Sequence, residues 1–116
     1  HDFPTTSSIW KEQVTYFGEH HGFRLIVPDL LGFGGSSKPT NPEAYKPTLI
    51  CQDIIDILNA EAIDVAVVIG HGIGSKIASR LANLHDRRFR GYGFLAVPYS
   101  APRPKQKMED TAIAVS

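Results

Sequence analysis

Cysteine is almost missing from this chain. Cys51 stands alone, so no disulfide can form within it. It falls in an apolar helical pattern and reads as a buried thiol. An excess of charge is missing too. Lys and Arg number 12 and Asp and Glu number 12, which removes the electrostatic case for a nucleic-acid or anionic-membrane partner. Two short basic runs, 87–90 (RRFR) and 103–107 (RPKQK), read as solvated surface. No apolar run approaches the ~20 residues of a membrane-spanning helix. No signal-peptide pattern opens the chain, so a cytoplasmic location is the expectation. The chain opens on His1 rather than Met, inside what reads as a motif, and is expected to be a processed chain or a fragment. Its 116 residues allow one domain with a modest core.

What is present alternates between two periods. Residues 7–21 read as a helix with Thr6, Ser7 or Ser8 as its cap and an apolar stripe of Ile9, Trp10, Val14 and Phe17. Residues 23–28 (FRLIVP) read as a buried strand, followed by a loop dense in Gly, Ser and Pro. A second helix is expected over 48–59, a second strand over 63–69, a third helix over 74–84 and a third strand over 93–97. The second helix carries Leu49, Ile50, Ile54, Ile57 and Leu58 at near-helical spacing; the third carries Ile77, Ala78, Leu81, Ala82 and Leu84. The order α-β-α-β-α-β favours three parallel strands with flanking helices in a three-layer α/β/α arrangement. Residues 1–102 are expected to form this core, and 103–116 an irregular or frayed tail.

One stretch raises the functional question: VVIGHGIGSKIASRL, residues 67–81. A strand-like run breaks at Gly70 and a helical pattern opens after Gly74. This is the frame of a nucleophile elbow, in which the middle residue attacks and small residues two before and two after let the turn close. The N–H that follows the nucleophile, here that of Ile73, would be one oxyanion donor, and the helix N-terminus adds favourable potential for negative charge. The middle residue is Gly72, which has no side chain. On this stretch alone an elbow and an ordinary glycine-rich βα turn remain equally open.

Two further segments carry a family resemblance. HDFP, residues 1–4, is similar to the H-G-x-P segment of α/β hydrolases, and PDLLGFGGSSKP, residues 28–39, resembles their P-D-x-x-G-x-G-x-S loop. With Gly70-His71-Gly72-Ile73-Gly74-Ser75 in place of G-H-D-x-G-S, the chain most resembles the epoxide hydrolase and haloalkane dehalogenase branch. The resemblance covers roughly residues 1–102 and implies a partial α/β-hydrolase fold. It makes the backbone of Phe3 the second oxyanion donor, with His1, Pro4, Gly70, His71 and Gly74 as motif support. It makes Asp29 a scaffold residue that bonds local backbone. It implies a small apolar or epoxide-like substrate or ligand, hydrolysis through a carboxylate nucleophile, no metal and no organic cofactor. The family's water-activating histidine and its acidic partner follow a later cap. The family's sheet order also implies that a strand preceding His1 lies between the first two strands read here. A chain without it would show unpaired edges and apolar faces.

Two departures bear on mechanism: Gly72 stands where aspartate is expected, and Asp2 where glycine is expected. Without a carboxylate at 72 no alkyl-enzyme ester can form there, and the chain is expected to be inactive. Asp2 would sit beside the oxyanion donors, where its charge would repel a forming oxyanion, and is set aside as a substitute. A non-catalytic relative that binds a ligand in the same cleft is the first alternative. The second is a dinucleotide site, since residues 67–81 also read as strand, G-x-G-x-x-S, helix. That reading needs an acidic residue at the end of the next strand, where Val97-Pro98-Tyr99 stands instead. Nothing in the sequence bears on oligomeric state.

Overall fold

Cys51, Ile55 and Leu58 recur at i, i+4 and i+7, so they share one face of a helix. In the computed structural model, which describes residues 1–102, they are the buried stripe of α2 (Pro47–Ala60). Pro47 opens α2 at the turn where no backbone N–H is needed. The stripe packs against Ile77 and Leu81 of α3 (Ile73–Leu84) and, with Leu30 and Phe89, makes the core. Cys51 is fully buried, and burial pushes its thiol up to about 11.

Two parallel strands flank α3 in sequence. They are β1 (Ala66–His71) and β2 (Phe89–Leu95), with Val68 opposite Tyr92 and Gly70 opposite Phe94. Such a crossover needs a helix between its strands, and α3 supplies it. Alternation along β1 sends Ala66 and Val68 toward the helical core. Val67 and Ile69 face the other way and are 59% and 54% exposed.

The first helical stretch is a composite. It opens as a 3-10 turn, Ser7–Trp10, passes through one α turn, α1 (Lys11–Gln13), and ends as a wide π turn, Val14–Glu19. Thr6 caps it by accepting from the N–H of Ser8. It meets His71 through the Trp10 ring and residues 23–28 through Gly18 and Leu25. Ile9 and Phe17 of its expected stripe are exposed, and it leaves Val67 and Ile69 uncovered.

Three expectations change. Residues 23–28 form no strand; the described sheet has two strands, not three. A strand exists only through a partner's ladder, and among the described residues the only strand pairing is that of β1 with β2. Phe23, Leu25 and Ile26 are accordingly exposed. The run is anchored by side chains instead, with Arg24 donating to the carboxylate and the carbonyl of Glu61 just past α2. The last strand starts at Phe89 rather than Gly93 and stops before Ala96, which has φ of 69°. Gly91 and Gly93 weaken its local propensity, but the parallel register with Val67 and Ile69 overrides it. Finally, Arg88 is half-buried and does more than face solvent. Its guanidinium donates to Ile63 O, Asp64 O and Asn59 Oδ1 at 2.7, 2.7 and 2.8 Å, clamping the connection from α2 to β1.

Among the described residues no helix is long and apolar enough to cross a membrane, and no cluster of His, Cys, Asp or Glu is placed to hold a metal ion. The tail 103–116 lies outside the described residues.

Candidate functional site

The turn from β1 into α3 is built by what its glycines lack. A Cβ on Gly70 would overlap the carbonyl of Gly74 and the N–H of Ser75, so strand and helix backbones meet here without a side chain between them. A Cβ on Gly74 would stand 3.0 Å from His1 N and 3.2 Å from His1 O. Gly72 has φ of 59° and ψ of −118°, a conformation that side-chain-bearing residues adopt only under strain.

Hydrogen bonds close the turn. Gly72 N–H donates to Leu95 O at 3.0 Å, tying the elbow to the end of β2, and Ser75 N–H donates to Gly72 O at 3.0 Å. Ser75 is wholly buried. Its hydroxyl is shared between Gly70 O at 2.9 Å and Leu95 O at 3.1 Å, pinning both strand ends to the first turn of α3. Ser79, one turn on, donates to Ser75 O at 2.9 Å and accepts from Ser100 N at 3.1 Å. Ser75 stands in the sequence motif without a role attached to it, and Ser79 has no local signal at all, because nothing local marks a hydroxyl that bonds distant backbone.

The segment 1–4 lies directly on this turn. Gly74 N–H donates to His1 O at 3.1 Å. The His1 ring is buried edge-on against Phe33, at 4.9 Å between centroids. Its Nε2 accepts from Leu30 N–H at 2.9 Å, so its Nδ1 carries the proton and donates to Asp2 O at 3.1 Å. Both ring nitrogens are therefore committed. Phe3 is exposed, and the Phe3–Pro4 peptide bond is cis.

Asp2 lies at the centre of this arrangement. Its Oδ1 accepts from Phe3 N–H at 2.8 Å and from Ile73 N–H at 3.0 Å. These are the two backbone donors expected from the sequence, and they converge on one oxygen. A Cβ on Gly72 would overlap the Asp2 carboxyl carbon and both carboxyl oxygens. The carboxylate thus fills the space that an elbow side chain would enter. The Ile73 and Phe3 N–H groups hold its pKa below the ordinary carboxylate value, burial opposes them, and the nearby His71 adds to the lowering. Asp2 lies beside the two donors, as expected, and accepts from both.

The remaining expected residues are support. Asp29 accepts from Gly35 N–H at 3.0 Å within its own loop. It also accepts from Ser7 N–H at 2.7 Å, 22 residues away, so the loop is tied to the first helical turn. These bonds lower its pKa to about 2. Its carbonyl accepts from the Ser36 hydroxyl. His71 ends β1 with its ring edge-on to Trp10; its Nδ1 is buried and has no partner among the described residues. An open groove of about 510 Å³ lies between the loop 28–37 and α2, and none of the elbow residues lines it.

The model of a family described as alpha/beta hydrolase fold matches residues 1–115. An epoxide hydrolase of Caballeronia sordidicola is 36% identical over 99 residues, which is 85% of this chain and 30% of its own length. Bifunctional epoxide hydrolase 2 of Rattus norvegicus is 32% identical over 105 residues, 90% of this chain and 19% of its own length. The solved structure of an epoxide hydrolase from an endophytic Streptomyces superposes with a TM-score of 0.87 at 33% identity, covering 96% of this chain and 33% of that one. The chain spans a third or less of the length of these relatives.

Proposed function

Because the chain belongs to the alpha/beta hydrolase superfamily, within its epoxide hydrolase branch, we propose that the turn at Gly72 is the floor of a site for epoxides or related small apolar electrophiles, and that this chain by itself does not turn them over. One observation carries the reading. The N–H groups of Phe3 and Ile73 meet on a single carboxylate oxygen at the N-terminus of α3. Converging donors fixed in advance stabilise charge on an oxygen without reorganising as the charge moves.

Turnover needs a base that activates water. His1 has both nitrogens engaged. His85 caps the far end of α3, a helix of 12 residues, which puts it ~18 Å along the axis from the elbow. His20 and His21 follow the end of the first helical stretch. His71, at the end of β1, has its ring edge-on to Trp10 and its Nδ1 buried. Hydrolysis of simple esters is disfavoured for a separate reason, since a substrate oxyanion would have to displace Asp2 from both donors.

The dinucleotide reading loses its support on the same ground. A pyrophosphate at this turn would meet the negative charge of Asp2 at the N-terminus of α3, and the space over Gly70 is filled by backbone rather than open to a ligand.

The test pairs binding with turnover. The diol 1-phenyl-1,2-ethanediol should raise the melting temperature of the chain, while styrene oxide should yield no diol beyond the uncatalysed rate. Absence of any stabilisation, or diol formed over many equivalents of protein, would overturn the reading.

A further inference from the structure

The Asp2 carboxylate is asymmetric in its bonding. Both backbone donors fall on Oδ1, at 2.8 and 3.0 Å. Among the described residues, Oδ2 receives no hydrogen bond and the carboxyl group rests against a glycine that offers no side chain. One oxygen is held as a carbonyl oxygen would be, and the other keeps its lone pairs for an external electrophile. We propose that Asp2, rather than the elbow residue, is the nucleophile of this site: Oδ2 attacks a carbon of a bound epoxide while Oδ1 stays on the Phe3 and Ile73 N–H groups. The inference rests on the reading that this turn takes epoxides.

The step balances without a cofactor. A bond forms between Oδ2 and the epoxide carbon, the ring C–O bond at that carbon breaks, and the released oxygen takes a proton from water. The product is a hydroxyalkyl ester of Asp2, one epoxide mass heavier than the protein. Oδ1 becomes the ester carbonyl, and the same two N–H groups continue to polarise it. Asp2 is a carboxylate at neutral pH, as any aspartate with an unraised pKa is, so it is in its nucleophilic form without a neighbouring base.

Gly72 has a part in this geometry. A Cβ at position 72 would stand 2.0 Å from the Asp2 carboxyl carbon. An elbow aspartate would hold its own carboxyl carbon about 1.5 Å from the same Cβ, so the Asp2 carboxyl stands close to the place an elbow carboxylate would take. Only a bare residue at 72 leaves room for it.

The experiment is intact-mass spectrometry and peptide mapping of the full chain after incubation with styrene oxide, on the wild type, on Asp2→Asn and on the double variant Asp2→Gly/Gly72→Asp. The melting shift with 1-phenyl-1,2-ethanediol is measured alongside. The expected result is one equivalent of epoxide on Asp2, released by alkaline hydroxylamine as an ester should be. The adduct should be lost in Asp2→Asn and should follow the carboxylate to position 72 in the double variant. If a variant does not fold, the wild-type peptide map decides alone. An adduct on any other residue, or one that persists in Asp2→Asn, would overturn the proposal. No adduct with the melting shift intact would overturn it and leave the epoxide-site reading standing. Neither adduct nor shift would remove both.

Discussion

The carboxyl group of Asp2 and the missing side chain of Gly72 occupy one and the same space. The two residues are 70 positions apart in sequence, and their chemistry is complementary. One supplies a charge and no room, the other room and no charge. The donors on either side, Phe3 N–H and Ile73 N–H, see a single carboxylate.

Gly72→Ala tests that sharing. The new methyl group would overlap the Asp2 carboxyl, and the backbone at φ of 59° would hold it under strain. A destabilisation of about 1–2 kcal/mol is expected, seen in denaturant melts. Hydrogen exchange should quicken at Ile73 N–H, which loses its acceptor. Unchanged exchange at Ile73 would mean that Asp2 is not held there in solution.

Asp2 should titrate below 3.8, the value of a free aspartate, because its charged form accepts the Ile73 and Phe3 N–H groups. A depressed folded-state pKa places the stabilising contribution above the unfolded value and removes it as pH falls through the folded one. The carboxyl carbon resonance of Asp2, followed by NMR, checks this. A midpoint at or above 3.8 would contradict the hydrogen bonds.

Asp29 makes a second, independent acid-sensitive tie. Its pKa of about 2, set first by Gly35 N–H and then by Ser7, means that its contribution is complete above pH ~4 and lost as pH falls toward 2. Asp29→Asn should be less stable than wild type at pH 6, and the gap should close between pH ~4 and 2. Paired denaturation curves at several pH values read this directly.

Gly70→Ala is expected to be the most damaging change on the turn. The methyl group would run into the Gly74 carbonyl and the Ser75 N–H, both backbone, so no rotamer can relieve it. A cost of about 3 kcal/mol follows from forced overpacking. Ser75→Ala should cost about 1–3 kcal/mol, by taking the shared hydroxyl from Gly70 O and Leu95 O.

Cys51 should be silent toward thiol reagents in the folded chain. It is fully buried, its Sγ lies 3.6 Å from Ile77 O, and burial raises its pKa to about 11. At a fixed pH, labelling by a disulfide reagent should track global unfolding. Fast labelling under native conditions would show that α2 and α3 separate.

Much of this was legible in the sequence because it is local or periodic. Gly70 and Gly74 flag the strand-to-helix turn by their spacing alone. Leu58, Ile77 and Leu81 announce their buried faces by helical period, although Cys51 and Ile55 proved deeper than Leu49, which is exposed. Residues 23–28 misled because their apolar run speaks only of burial. Whether such a run pairs depends on a neighbour that composition cannot name. Phe89 to Tyr92 were missed because their strand character comes from Val67 and Val68 across the ladder. Asp2 was the hardest case. The sequence places a carboxylate beside two donors and implies that it would repel a forming oxyanion, but not that both N–H groups would meet on one of its oxygens.

The shared space at Asp2 and Gly72 also constrains how such a pair can arise. Aspartate and glycine codons differ by one base, so each position is one mutation from the other's residue. Yet the two intermediates are unequal. A chain with glycine at both positions leaves the donors without any anion. A chain with aspartate at both would force two like charges into one volume, which costs far more than a vacancy. Any lineage that moved the carboxylate between these positions by single steps would pass through the empty state, and a chain caught there would read as a glycine-glycine relative with both N–H groups facing open solvent.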